Sequence, residues 1–600
     1  MNQVTSQAAA TPRWQEWRRF DLRSALVTTA LGTGVLVGAS LMPAGQALAC
    51  VDVTDDPNSV SCDDLQDTTN NTLNVTAAGA DSVDNDERHY LFSDHGAVDV
   101  EITANGDIND NGLAVTTSQA GSELIVDHQG AISVDDGNDP SFGGAGVFNL
   151  NTDGGDVTYT GNGSVIDNVG GNDGLVINTG VGAGNINIGS AGTPVTPTYQ
   201  GFVALRTMSG TGDQNIFLDG GTLVATDTLG DGIFAASSTG DINIDLTGNT
   251  QITTSVESSN VVWGVRTNSF GGATTISSDA DMGSAGFELN RGISSFSNDG
   301  LIDITQTGGT IMATGAGILA ESFGATGDIS ITTDAGSVID MTGTGVGIIA
   351  DQFSSTGGAT VTVHGNIVDS QTGVSARIND AANGDNVAVT ASGDIEALTG
   401  PSISATTIGT GNATVNLLDG ATMQGGVLAE STTGNAGIVL GDGVTVIGNS
   451  PGLESITAGG DATVVVGDDA MVTGSSGIVV DQTSAAGAGV ATVVVGDNGE
   501  IIGDGTDGAD DYNGNGIFAG NQGTGETFVT TGTGTSVTGE ANGIFASQTN
   551  AANTNDITIT TDGPVTGDGG IAFTLAPYTD AFDAAGLPTT GLGIGVSNEG

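Results

Sequence analysis

The chain has 600 residues, of which 100 are glycine and only 11 are proline, with no Gly-X-Y period. This composition excludes collagen, and a mean hydropathy of +0.07 excludes a disordered chain swollen by its own charge. The 70 acidic residues outnumber nine basic ones, all arginine, for a formal net charge of -61. Because so acidic a surface repels phosphate backbones, we expect no nucleic-acid partner.

The first 49 residues have the pattern of an export signal. A basic segment at 13–23 precedes an apolar stretch at 25–41, which is too rich in Gly and Thr for a membrane anchor. The small residues Ala47 and Ala49 then predict cleavage before Cys50. The letters RRFDL within the basic segment loosely resemble a twin-arginine signal, so the sequence leaves both the general and the twin-arginine export routes open.

Cys50 and Cys62 are the two cysteines of the chain. In an oxidising compartment they would close a small loop, worth about 3 kcal/mol in the chain-entropy model. The alternative is lipidation of Cys50, which is disfavoured because Ala47 stands where a lipobox has leucine. The predicted organisation is a signal peptide at 1–49, an N-terminal cap region with the Cys50–Cys62 disulfide at 50–111, and a repeat region at 112–600.

A four-residue pattern, Gly-Ile-x-Ala, recurs along the chain about every 29 residues. It is written GIFA at Gly232, Gly516 and Gly543, and it varies elsewhere, as in GILA at Gly317. Two further short segments, such as TGDINI and GSVID, recur within each period between Gly, Asn and Asp turns, and none has a helical period. Three short strands per period predict an all-β fold, a right-handed parallel β-helix (solenoid) of about 17 coils.

In Gly-Ile-x-Ala the second and fourth residues point to the same side of the strand, which predicts that they face the core. The glycine is expected to take the bend at the corner of each coil. The x residue then faces outward, and an apolar strip there predicts an adhesive face unless loops or another chain cover it. Seven coils have an apolar residue at x: Phe234, Leu319, Ile349, Leu428, Val479, Phe518 and Phe545.

Two stretches match the first half of a calcium-binding loop, D-x-N-x-N-G, which offers hard oxygen ligands at alternate positions. Their candidate ligands are Asp107, Asn109 and Asn111 in the first stretch, and Asp511, Asn513 and Asn515 in the second. Neither stretch has glutamate at the twelfth position, so an acidic solvated turn is the alternative. Calcium is the only cofactor that the sequence suggests.

Catalytic motifs are sparse. A Gly-Asp-Ser-Gly serine is absent, and a polysaccharide lyase would need basic residues that are scarce after the signal. A β-helical glycosidase needs only paired carboxylates, for which Asp468–Asp469 and Asp510–Asp511 are available. We therefore expect no enzymatic activity, with a glycosidase or polysaccharide lyase as the alternative.

These features together resemble the passenger region of a Gram-negative autotransporter (type V secretion). The resemblance is carried by the long basic signal, the pair Cys50 and Cys62, and the Gly/Thr/Asn/Asp-rich repeats. It implies export and passage through an outer-membrane β-barrel, followed by display at the cell surface or secretion. The implied role is an adhesin or stalk that binds an unknown surface ligand or itself. Because no barrel pattern precedes Gly600, we expect a longer natural protein, or else a different secretion route.

Overall fold

The computed structural model describes residues 120–134, 146–168, 171–256, 262–343, 345–448, 450–505, 514–550 and 552–567, with the backbone of flanking strands at 71–73, 89–93, 100–104, 113–117 and 571–575. All of them lie in one compact unit. They contain no α-helix and form parallel strands, so the predicted all-β parallel β-solenoid is confirmed. The number of coils differs slightly from the predicted 17.

Each coil contributes one strand to each of three parallel sheets, named here sheets 1, 2 and 3 in the order in which a coil visits them. Sheet 1 contains the Gly-Ile-x-Ala segments. Its strands are His89–Ser93, Leu113–Thr117, Gly146–Asn151, Asp173–Asn178, Val203–Ser209, Asp231–Ser237, Trp263–Ser269, Leu289–Ser297, Thr310–Ser322, Val346–Gln352, Thr372–Ile378, Ile403–Thr407, Val427–Ser431, Leu453–Thr457, Ile478–Gln482, Asn515–Asn521, Asn542–Gln548 and Ile571–Leu575.

Sheet 2 follows sheet 1 in each coil. Its strands are Asn71–Leu73, Val100–Ala104, Leu124–His128, Val157–Thr160, Ile186–Ile188, Gln214–Asp219, Ile242–Thr247, Thr274–Ser278, Ile302–Gln306, Ile329–Thr333, Ala359–Val363, Val387–Ala391, Ala413–Leu417, Ala436–Leu440, Ala462–Val466, Ala491–Val495, Thr527–Thr531 and Ile557–Thr561.

Sheet 3 completes each coil, and the long strand Thr310–Ser322 belongs to both sheet 3 and sheet 1. Its other strands are Ala131–Val134, Ser164–Asp167, Thr198–Gly201, Thr222–Ala225, Gln251–Thr254, Asp281–Met282, Val338–Asp340, Asn366–Ser370, Ile395–Ala397, Thr422–Gln424, Thr445–Ile447, Met471–Gly474, Glu500–Gly503, Ser536–Gly539 and Val565–Thr566. The ladders also include strands at 71–104, inside the segment that the sequence analysis treats as a cap region.

The repeated segments stack on their own copies. Ile517 pairs with Ile544 and Phe518 with Phe545, so the two NGIFA segments lie directly above one another. The Ile and Ala positions are buried throughout, as predicted, and they join one hydrophobic cluster from Val115 to Val565. Because a single coil cannot bury its apolar face alone, this shared core explains why the same letters recur.

The glycine of the pattern is required by close packing and not by a bend, which corrects the sequence-based expectation. Gly232 does not have a positive φ. A Cβ atom added there would lie 2.3 Å from Cγ2 of Ile252 and 2.6 Å from the carbonyl oxygen of Gly264 in the next coil. At Gly232, sheets 3 and 1 therefore meet at a corner with no room for a side chain, whereas the equivalent positions of two other coils hold the small residues Ala204 and Ser402.

Many acidic residues stabilise the turns that follow sheet 2, by hydrogen bonds from one coil to the next. At the turn after sheet 2, the backbone N–H of each residue donates to the side-chain oxygen of its counterpart one coil earlier. The N–H of Asp442 donates to Asp419 Oδ1 (3.0 Å), that of Asp468 to Asp442 Oδ1 (2.9 Å), and that of Asp497 to Asp468 Oδ1 (2.7 Å). These ladders satisfy turn amides that no strand partner reaches.

The first coils whose side chains are described enclose aromatic side chains in addition to aliphatic ones. His128, Phe148, Tyr159 and Tyr199 are fully buried and pack edge to face. His128 Nδ1 lies 2.7 Å from the Tyr159 hydroxyl. Burial lowers the pKa of His128 to about 4, so this imidazole is neutral near pH 7 and serves the core.

Candidate functional site

The x residues of the repeats lie in one register column along sheet 1, called here the x column. From Arg206 to Phe545 the column reads, in chain order, Arg206, Phe234, Arg266, Ser294, Leu319, Ile349, Ser375, Ser404, Leu428, Glu454, Val479, Phe518 and Phe545. All seven residues of the predicted apolar strip belong to it.

The seven apolar residues do not form one continuous exposed strip. Polar or charged residues interrupt the column at several coils, so the apolar members divide into short runs. Exposure also varies, because Leu319 (3%), Val479 (0%) and Phe518 (5%) are buried, whereas the other four are half-buried. Phe518 stacks on Phe545 with ring centroids 5.6 Å apart, which forms the aromatic end of the column.

A ladder of alternating arginine and aromatic side chains forms at the other end of the column. The guanidinium carbons of Arg206 and Arg266 each lie 5.2 Å from the ring centroid of Phe234, one from each neighbouring coil. Arg266 also lies 4.0 Å from the ring of Trp263, and Arg291 lies 5.1 Å from the same ring. Stacking on rings at these distances is favourable for a guanidinium and fixes its orientation. These five residues are called here the Arg–aromatic ladder.

Two buried carboxylates adjoin the ladder. Asp173 accepts hydrogen bonds from Arg206 Nε (2.6 Å) and Nη2 (3.2 Å), and from the backbone N–H of Val203 (3.1 Å). Asp231 Oδ2 lies 3.9 Å from Arg266 Nη1, which is an ion pair without a hydrogen bond. Arg206 is thus anchored by a bidentate pair, and Arg266 is in contact with two aromatic rings.

Burial sets the charge of these carboxylates. Desolvation raises the pKa of Asp231 to about 7, although Arg266 and Arg206 act to lower it. Desolvation also raises the pKa of Asp173, against the opposing effect of its hydrogen bonds from Arg206. The ladder therefore combines three permanent positive charges with two buried acids, so even with both acids ionised this part of an acidic chain keeps one positive charge in excess.

The β-helix register brings the ladder together. Arg206 pairs with Phe234 and Phe234 with Arg266, while Trp263 pairs with Arg291 in a parallel column three residues earlier along the strands. Residues about 30 positions apart thus become neighbours roughly 4.8 Å apart along the sheet. Three of the five arginines that follow the predicted signal meet on one face of four consecutive coils.

Sequence reasoning identified Phe234 but missed its arginine neighbours. GFVA at Gly201 is another variant of the Gly-Ile-x-Ala pattern, and it predicts that Val203 is the x residue. In the structure Leu205 pairs with Ile233, so Arg206 is the x residue of this coil. The strand before the anchor ends at Gly201, which belongs to sheet 3. The segment Leu205-Arg206-Thr207 would have located the pattern correctly, because it matches Val265-Arg266-Thr267 more closely than GFVA does.

Most other predicted site residues lie outside the described residues: Cys50, Cys62, Asp107, Asn109, Asn111, Asp510, Asp511 and Asn513. Asn515 is described and buried, and its Oδ1 accepts a hydrogen bond from Asn542 Nδ2 (2.8 Å). Asp468 and Asp469 lie in a turn where Asp468 Oδ1 accepts the N–H of Asp497 and Asp469 has a φ of 56°. No group of three or more His, Cys, Asp or Glu is placed to hold a metal ion within the described part of the chain.

Among the described residues, no helix has the length and apolarity needed to cross a lipid bilayer. No family model, no curated protein and no solved structure matches the chain.

Proposed function

We propose that this chain is the β-helical passenger of an exported autotransporter that acts as an adhesin or structural stalk without catalysis. The observation that supports this most is the single core, which continues without interruption from Val115 to Val565. A solenoid of this kind offers a long surface with one side chain per coil in each column, which suits attachment and spacing more than enclosure of a substrate.

The proposed location is the cell surface, with display through an outer-membrane β-barrel or release into the medium. We expect protease added to intact cells of the native host to remove the protein from an immunoblot, while a periplasmic marker survives. Retention of the full band on intact cells, with loss only after the cells are opened, would place the protein inside and contradict surface display.

The aromatic end of the x column supports an adhesive role that a substitution can test. We expect Phe545→Ser to lower aggregation or attachment of displaying cells several-fold, because Phe545 is the half-buried partner of the buried Phe518. Phe528→Ser is the matched control, since Phe528 is half-buried on the outer face of sheet 2 in the same region. Equal attachment of both variants and the wild type, with unchanged melting, would rule out an adhesive role for this end.

A second candidate, from a different class, is a β-helical polysaccharide-degrading enzyme, for which Asp173 and Asp231 would be the carboxylate pair. They lie two coils apart, so their backbones are separated by roughly 10 Å, whereas an inverting glycosidase holds its two carboxyl groups about 6.5–9.5 Å apart. Release of reducing ends from a polysaccharide, lost in Asp231→Asn, would favour this candidate over a non-catalytic surface protein.

A further inference from the structure

We propose that the Arg–aromatic ladder is a binding site for a carboxylate-bearing saccharide, with Arg266 as its central recognition residue. This inference deepens the proposed adhesive role and rests on it, because it names the chemical class of a ligand. The observation that supports it is that three guanidinium groups and two aromatic rings lie in contact on one face of an otherwise strongly acidic chain.

Few further negative charges adjoin the ladder on this face of sheet 1: among the described residues, the next coil places Glu321 opposite Phe296. The paired positions in the same four coils, along the three columns of the face, are occupied by Val203, Asp231, Trp263, Arg291, Arg206, Phe234, Arg266, Ser294, Met208, Ala236, Asn268 and Phe296. Asp231 is the one acid among them, and Asp173 adjoins them through Arg206. An anionic group that approaches here meets three guanidinium groups against two carboxylates, whereas most of the chain carries only acids and repels it.

The guanidinium groups are preorganised and still reach solvent. The side chains of Arg206 and Arg266 are 23% and 20% exposed, whereas the carboxylates of Asp173 and Asp231 beneath them are almost covered. Ring stacking on both sides of Arg266 limits the rotamer freedom that binding would otherwise remove. A guanidinium held in this way matches the geometry of a carboxylate through two parallel N–H donors.

Charge and neighbours together favour an acidic sugar over a polyanion or a second copy of the chain. The net charge of -61 repels both a long polyanion and another copy at a distance. A carboxylate on an otherwise neutral saccharide carries little of that penalty. Met208 and Phe296 add apolar contact area beside the ladder, and the amide of Asn268 can donate to or accept from a hydroxyl, a combination typical of small-ligand sites.

The experiment is calorimetric titration of the exported chain with cellobiouronic acid and with cellobiose, which differ in one carboxylate. We expect the acidic sugar to bind at least about tenfold more tightly than the neutral one, and Arg266→Gln to remove most of that difference. Arg377→Gln is the matched control, because it removes the same charge from sheet 1 outside the ladder; it should change affinity less than about twofold.

Several results would overturn the site. Equal affinity for the two sugars, or equal losses in the two arginine variants, would contradict it. Salt-sensitive self-association that Arg266→Gln abolishes, without saccharide binding, would assign the ladder to a second copy instead. If Arg266→Gln does not fold, Arg266→Lys keeps the charge but not the bidentate geometry, and it should weaken binding about threefold. None of these outcomes bears on protease sensitivity at the cell surface, so the location can fail or stand independently.

Discussion

Replacing Gly317 with alanine is expected to destabilise the coils around it by about 1–3 kcal/mol, the usual cost of overpacking a well-packed core. A Cβ at this position would lie 2.3 Å from Cγ2 of Ile339 and 2.6 Å from the carbonyl oxygen of Gly347. The carbonyl oxygen belongs to the backbone of the next coil, so it cannot rotate away as a side chain could. Urea unfolding, with hydrogen exchange at the neighbouring coils, measures the loss.

Gly437→Ala is the matched control for this prediction. Gly437 lies in a strand of sheet 2, and a Cβ added there meets nothing within 4 Å. Because alanine restricts the unfolded chain more than glycine does, we expect this variant to be unchanged or more stable by about 0.4–1 kcal/mol. Equal destabilisation by the two substitutions would show that the corner packing is not what the glycine column serves.

Asp231→Asn is expected to stabilise the protein at pH 8 and to leave it unchanged near pH 4. Burial raises the pKa of Asp231 to about 7 in the folded state, against 3.8 for the ordinary carboxyl. Because the pKa of Asp231 is higher in the folded state than in the unfolded state, its contribution to the free energy of unfolding is complete below pH 4 and is lost as the pH rises through 7. The full loss is on the order of 4 kcal/mol, and asparagine avoids it because it stays neutral.

Melting curves of the wild type and Asp231→Asn from pH 4 to pH 8 test this sign directly. Asp245→Asn is the control, since it makes the same change of side chain at a half-buried position on the outer face of sheet 2. If Asp231→Asn instead destabilises the protein more at pH 8 than at pH 4, the ion pair with Arg266 outweighs the cost of burying the charge.

The fold could be predicted from the sequence because its signal is repeated in every coil. The pattern that contains Ile233 and Ala235 recurs in many coils, so misplacing it in one coil does not change the predicted fold. The role of Gly232 could not be predicted, because a bend and a lack of space both select glycine. Only the distance to Ile252 and to the next coil distinguishes them.

The candidate site was harder to predict because it depends on register between coils. Phe234 lies between Arg206 and Arg266 only because coils of unequal length align Leu205 with Ile233. A misplaced anchor of three residues moves Arg206 out of the column and removes the ladder. The acidic turns show the same dependence, because the sequence alone predicts that Asp442 is a solvated charge. Its hydrogen bonds with Asp419 and Asp468 follow only from the register between coils.

The coils stack in the register described above, and spin-label distances test that stacking most directly. In sheet 2, four pairing steps separate Ser277 from Thr390, and ten separate it from Thr560. With spin labels on Ser277→Cys, Thr390→Cys and Thr560→Cys, in a chain that also carries Cys50→Ser and Cys62→Ser, we expect backbone separations of about 19 Å and about 48 Å, at about 4.8 Å per coil. Distances that do not increase in proportion to the number of coils would contradict the stacked β-helix.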